Sequence, residues 1–242
     1  MTLRNDVGYR NAVYGAYRST DPETESGGGS LAAHYRRHIV PHLPRERSSR
    51  IIDLACGAGE LVSLLRASGY LNVSGIDRSI EQVRAAEERG VAAIAHADAF
   101  ECLASAQQKF DAIIAIDFLE HVHNDEALEL LRLVCGALRP GGVFVAQTCN
   151  AASPMFGRIR YGDITHETAF TRRSISQAFR VAGLAPVAVH GIDPVPHGAR
   201  SMVRAAAWSI AKVAAKAYVA IETGVTDEIV SQNLIAVGTR ES

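Results

Sequence analysis

RIIDLACGAGELVSLL, residues 50–65, decides the fold. A buried, β-branched run passes through a turn containing Gly57 and Gly59 into a helix. Glycine lets the backbone at such a turn approach a ligand closely, and the N–H groups at the helix start then face that ligand. This is the first strand–turn–helix unit of a parallel sheet.

Outward from it the chain alternates short β-rich runs with longer segments of helical period, the pattern of a sheet with crossover helices. Strands are expected at 51–55, 72–77, 92–96, 111–116 and 142–148, and helices near 59–68, 79–89, 99–106, 123–138 and 171–182. Continuous apolar runs such as IIAI and VFVA suit strands covered on both faces. LRPGG at 138–142 reads as a helix stop and turn, because Pro140 cannot continue a helix and the glycines are free to take positive φ. Residues 150–170 read as loop, 182–192 as a helix end and a strand, and 233–239 as a last strand pairing antiparallel at the sheet edge. The expected fold is α/β, a doubly wound Rossmann-like sheet, mostly parallel with an antiparallel C-terminal strand. One domain over 1–242 is expected: a mobile N-terminal lid at 1–30 ending in SGGGS, a core at 50–192, a helical insertion at 193–227, and a last strand and tail at 228–242.

A dinucleotide fingerprint requires a small residue three positions after its second glycine, where this chain has Val62. Asp53, at the end of the first strand, is an acid that fingerprint does not need; it is placed to hold turn amides or a ligand's ammonium group. The second strand ends in GIDRS and sets Asp77 about 20 residues past the turn, the spacing at which an acid accepts hydrogen bonds from ribose hydroxyls. Asp77 or Ser79 also reads as the N-cap of the next helix.

With these features the chain resembles the class I S-adenosylmethionine (SAM) dependent methyltransferases over about residues 50–190. DLACGAG, GID, HADAF, FDAIIAIDFLEHV and LRPGGVFVAQT stand in the family's order. The resemblance implies SAM as cofactor, Asp98 on the adenine amino group, and Ala99 and Ile80 along the ring. Ala55, Cys56, Gly57 and Gly59 in the turn, Arg78, Phe100 and Asp117 complete the candidate cofactor set with Asp53 and Asp77. Ala55 departs from the pattern, standing where the family usually has the first glycine of its turn. The stretch from GDITHETAFT through PHGARS and the helix after it to NLIAVG resembles methyltransferases encoded with bacterial polysaccharide-building enzymes. That similarity implies O-methylation of a sugar hydroxyl on a lipid-linked or nucleotide-linked glycan, with a quinone-type phenol or another small molecule as the alternative acceptor.

Methyl transfer from a sulfonium is an in-line displacement, so alignment and exclusion of water come first, and an alcohol acceptor also needs a base for its proton. YGDITHETAFTRRSI follows the fifth strand, on the ligand-binding edge of an open α/β sheet. His166 is therefore the candidate base, with Asp163 and Glu167 beside it to orient the ring or bind a hydroxyl; an exposed histidine near a helix start is the plainer account. DFLEHVHND places Asp117, Glu120, His121 and His123 at the end of the fourth strand, with His121 a second catalytic candidate. Its acid-x-x-Glu-His pattern is similar to that of ubiquinone-biosynthesis O-methyltransferases, where such residues are associated with a divalent metal. Asp117, Glu120 and His121 are the candidate ligands here, against the simpler account in which no metal binds.

Residues 201–224 form an alanine-rich helix interrupted by Arg204, Lys212 and Lys216. Central basic residues cost about 2.5–3.5 kcal/mol each on insertion, so spanning a bilayer is disfavoured. Peripheral adsorption of 201–222 to an anionic membrane surface, packing over the acceptor pocket and a homodimer interface remain as readings of it. A formal net charge of −1 with 21% charged residues excludes a dedicated nucleic-acid binder. Four cysteines without a CxxC pair and the polar start MTLRNDVGYR fit a cytoplasmic location, at the inner face of the membrane if the helix adsorbs. A non-catalytic SAM-binding module and a dehydrogenase are the competing classes. Binding without turnover on any acceptor marks the first, and nicotinamide-cofactor binding without SAM affinity the second.

Overall fold

The computed structural model describes residues 28–241, together with Val13 and Ala16; the expected lid at 1–30 falls almost wholly outside the described residues. Seven strands form one sheet: β1 Arg50–Leu54, β2 Asn72–Asp77, β3 Ile94–His96, β4 Phe110–Ile116, β5 Leu138–Cys149, β6 Leu184–Gly191 and β7 Asn233–Arg240. Their order is β3-β2-β1-β4-β5-β7-β6, with β1 to β5 parallel. The direction of winding switches between β1 and β4, which opens a crevice at their carboxyl ends. Asp53, Asp77 and Asp117 stand on that edge.

Alternate residues of the central strands serve opposite faces. Ile113 and Phe144 pack with Leu130 and Phe179 on one side, while Ile114 and Val145 pack with Ile51 and Leu61 on the other. The expected edge position of the last strand is corrected. β7 runs antiparallel between β5 and β6, pairing Gln147 with Ile235 and His190 with the same residue. Leu234, Ile235 and Ala236 are all buried, and such an apolar run requires cover on both faces and ladder partners on both sides.

The helices are α1 Gly28–His38, α2 Glu60–Ala67, α3 Ile80–Glu88, α4 Ala99–Ala104, α5 Asn124–Ala137, α6 Phe156–Arg160, α7 Arg172–Val181 and α8 Ala199–Thr223. Two depart from expectation. α1 starts inside the glycine run, because Leu31, Tyr35 and Ile39 recur every four residues and pack on the core around Ile51 and Leu65; that burial outweighs the poor helix propensity of glycine. α6 lies within the segment read as loop. LRPGG is not a plain turn either: Leu138 already pairs with Phe110, and a bulge follows before Val143 pairs with Ala112. Along α8 only Ser201 is buried, so the helix does not pack over the site as a lid.

Gly75 of β2 is a close-approach position. A Cβ there would stand 2.6 Å from Cys56 Sγ and 2.8 Å from Ile94 Cδ1. Gly75→Ala should therefore destabilise the fold by about 1–3 kcal/mol through overpacking. Thermal melting should show the loss, and Cys56→Ala in the same chain should recover much of it. An unchanged melting temperature in Gly75→Ala would contradict this packing.

Candidate active site

The turn after β1 is built on left-handed backbone. Ala55, Gly57 and Gly59 have φ of 54°, 55° and 79°. Ala55 thus holds a conformation in which its methyl group is strained, the physical reason a glycine is at home there. Asp77 clamps this turn to the next: its Oδ2 accepts from Gly57 N at 2.8 Å and its Oδ1 from Ser79 N at 2.7 Å. The cap of α3 is Ser79, whose hydroxyl makes no capping bond and is buried without a hydrogen-bond partner. Burial holds the Asp77 carboxyl above its ordinary range, and its two amide bonds counter that rise.

A cavity opens over the turn. Of the residues expected around a cofactor, Ala55, Gly57, Asp77, Arg78, Asp98, Ala99, Phe100 and Asp117 line it. Ser79, Gln82 and Phe118 join them, as does His121, expected as catalytic. Four expected residues take other places. Ile80 is 38% exposed and Gln82 stands at the cavity in its stead. Cys56 turns its thiol into the core against Gly75, and Gly59 serves as the left-handed N-cap of α2. Asp53 lies beneath the surface, 2% exposed, with Oδ1 lacking any hydrogen-bond partner. Burial, then the charges of Asp77 and Glu60, hold its carboxyl well above the usual range. Asp98 has a structural task besides lining the cavity: Oδ1 caps α4 through Phe100 N and Glu101 N, and Oδ2 is 3.8 Å from Arg78.

The opposite wall carries the ionisable groups. Asp117 adopts φ 50° at the end of β4. Gln147 Nε2 donates to both its carboxylate oxygens at 2.9 and 3.0 Å, and Asn233 Nδ2 donates at 3.2 Å. The amide oxygen of Gln147 accepts from His34 Nε2 of α1 at 2.7 Å. Gln147, Asn233 and His34 went unrecognised in the sequence; only the spacing of α1 carried a signal.

Glu120 is 1% exposed, and accepts from Thr148 Oγ1 at 2.8 Å and Cys149 Sγ at 3.4 Å. Desolvation pushes its carboxyl up to about 8, helped by the charge of Asp117. Its backbone carbonyl accepts from Glu167 N and Thr168 N, which ties the 163–168 loop to the end of β4. In that loop Asp163 accepts from Thr165 N and Oγ1, and Thr165 Oγ1 bonds His121 Nδ1 at 2.8 Å. Asp163 therefore orients His121 through Thr165, whereas the sequence placed it beside His166. The Thr165 hydroxyl proton goes to Asp163, so Thr165 accepts from His121 and fixes the neutral ring's proton on Nδ1. His166 Nδ1 likewise faces the carbonyl of Ile159 at 2.8 Å, an acceptor only.

The two rings meet edge to face at 4.8 Å. Burial, then the charge of His166, pushes His121 down to about 4. One donor atom each from Glu120, His121 and His166 lies within 4.8 Å of the others. His166 thus takes the place expected for Asp117, whose carboxylate is held by Gln147 and Asn233. One carboxyl group and two imidazoles form a donor set that fits a divalent transition metal.

A sheet of this winding with a glycine turn, a ribose-spaced acid and a cavity beside them has the layout of a nucleotide-cofactor site. The chain belongs to the methyltransferase domain family, whose model matches residues 30–189, and is a SAM-dependent methyltransferase of class I fold. It is 29% identical over 186 residues to the ubiquinone biosynthesis O-methyltransferase of Methylobacterium nodulans, covering 71% of this chain and 73% of that protein. The protein of the same name from Methylocella silvestris is 36% identical over 140 residues, 52% of this chain and 51% of its own. In fold the chain is similar to a SAM-dependent methyltransferase from Archaeoglobus fulgidus, with a TM-score of 0.69, 18% identity, and coverage of 93% of this chain and 99% of that one.

Two features fit SAM. Among the described residues no atom beyond its chain neighbours stands within 4 Å of where a Gly57 side chain would begin, and Asp53 Oδ1 and Ser79 Oγ are buried polar atoms without hydrogen-bond partners.

Proposed function

We propose that this methyltransferase methylates the hydroxyl of a small phenolic, quinone-type acceptor, with His166 as the base. The observation that carries the chemistry is the meeting of Glu120, His121 and His166 beside the cofactor cavity. The acceptor class is supported by the names of the relatives, which speak of ubiquinone biosynthesis. The glycan acceptor inferred from the C-terminal half has no such support and gives way to the alternative. A phenol with pKa near 10 also asks less of an imidazole than a sugar alcohol does.

Bound SAM supplies an electrophilic methyl group on sulfonium. Asp77, held by Gly57 N and Ser79 N, would hold the ribose hydroxyls. Asp53 would balance the ammonium of the methionine moiety, and Ala99 and Phe100, which line the cavity, would hold the adenine. Gln147 and Asn233 fix the orientation of the Asp117 carboxylate at the cavity. His166 would take up the proton of the acceptor hydroxyl as that oxygen is methylated. His121 stays neutral beside it, so a charge forming on His166 meets no second cation. A second reading of proton removal rests on the donor set itself: Glu120, His121 and His166 would hold a divalent cation, which lowers the pKa of a coordinated hydroxyl.

The Asp53 assignment has a pH signature. Its carboxyl keeps a proton above the ordinary carboxylate range in the cofactor-free protein, whereas an adjacent ammonium favours the ionised form. SAM binding should release protons, and affinity should weaken as pH falls below the cofactor-free pKa of Asp53. Calorimetry in buffers of different ionisation heat should show the release, and Asp53→Asn should remove it. Buffer-independent heats in the wild type, with binding intact, would end this role for Asp53.

A further inference from the structure

α8 wears its apolar face on the outside. At 3.6 residues per turn, Val203, Ala206, Ile210, Val213, Ala217 and Ile221 fall along one stripe with no charge among them. That stripe points away from the protein: Val203, Ile210, Val213 and Ile221 are 71%, 75%, 68% and 87% exposed. The half-buried side carries Trp208 and Lys212 among Ala205, Ala215 and Val219. Trp208 Nε1 and Lys212 Nζ both bond the Asp193 carboxylate, at 2.7 and 2.6 Å, and the Asp193 carbonyl accepts from His38 Nε2 of α1 at 3.0 Å. A surface helix of a globular protein does the reverse, turning its apolar stripe to the core.

Cations border the stripe. Arg200 and Arg204 stand on one flank and Lys216 on the other, and none of the three forms an ion pair among the described residues. Glu222 is the only acid in the helix. A second copy of the chain is a poor occupant, because pairing two such faces brings like charges together along the borders. A bilayer carrying anionic headgroups complements both features, taking the apolar stripe at the acyl boundary and the flanking cations at the phosphates. No helix among the described residues is long and apolar enough to cross a membrane.

We propose that α8 docks the protein flat on an anionic lipid surface. The inference goes beyond the acceptor reading and does not depend on it. Asp193 follows the carboxyl end of β6, on the same sheet edge as Asp53 and Asp77, and its bonds to α8 and α1 hold that edge and the docking helix together. Docking would set the mouth of the active site beside the bilayer, where an apolar acceptor is dissolved.

The test is co-sedimentation with vesicles of phosphatidylcholine alone or mixed with phosphatidylglycerol, at low and high salt. The protein should partition onto the anionic vesicles, weaken with salt and leave neutral vesicles largely unbound. Arg204→Glu with Lys216→Glu should reduce partitioning by about tenfold or more, since each basic residue near such a surface contributes about fivefold. Ile210→Asp with Val213→Asp should abolish it. Both variants should bind SAM as the wild type does, which shows them folded. Absence of partitioning, or equal partitioning by wild type and both variants, would overturn the proposal. So would a solution dimer that Ile210→Asp with Val213→Asp dissolves, which would assign the face to a second copy.

Discussion

His166→Ala should lower kcat by about 10²–10⁴-fold, the contribution of a positioned general base, and leave SAM affinity near that of the wild type. The ring is held at both ends: Ile159 O accepts from Nδ1, and His121 packs edge to face against it. The ring orientation is therefore set before the acceptor arrives. His121 is a poor proton acceptor once burial has pushed it down to about 4. Assays with and without chelator separate the two routes for the proton. A base acting alone predicts a chelator-insensitive wild type. A cation held by Glu120, His121 and His166 predicts a wild type silenced by chelator and a His166→Ala variant partly rescued by excess metal. Full activity of His166→Ala without added metal would remove His166 from the mechanism.

Asp77→Ala should weaken SAM binding by about 1.5–3 kcal/mol, the cost of losing charge-assisted hydrogen bonds to the ribose. The loss has a second source in this chain. Asp77 also accepts from Gly57 N and Ser79 N, so its removal releases the glycine turn that faces the cofactor. Asp77→Asn should recover little, because one end of the amide presents N–H groups to a backbone N–H. Calorimetry on the folded variant decides the matter, and unchanged affinity would contradict both roles.

The parts of the fold that follow local rules were legible. The turn glycines, the carboxylate 20 residues beyond them and the alternation of apolar runs with helical segments depend on neighbours a few residues away, and β1, β2 and β4 stand within a residue or two of where the pattern puts them. α1 was hidden because a glycine run signals a break, while the burial of Tyr35 and Ile39 that overrides it comes from the distant β1 and α2. The insertion of β7 between β5 and β6 depends on long-range pairing, which composition at 233–239 does not reveal.

The site divides in the same way. Asp53, Gly57 and Asp77 are tied to the strand ends that carry them, so their motif announces them. His34 reaches Gln147 across 113 residues and Thr165 reaches His121 across 44, contacts that only the completed topology creates. Asp98 also caps α4 through one oxygen, a task its cofactor motif does not announce, and Gln82, which the motif does not name, stands at the cavity.

The central claim is methyl transfer from SAM to a phenolic oxygen at the site between the glycine turn and His166. It is tested most directly by incubating the protein with methyl-labelled SAM and a prenylated catechol, then locating the label by mass spectrometry. Label on a catechol oxygen, in an amount that falls with His166→Ala, is the predicted result. SAM bound without turnover on the catechol, or label carried instead by a sugar hydroxyl offered alongside it, would contradict the account.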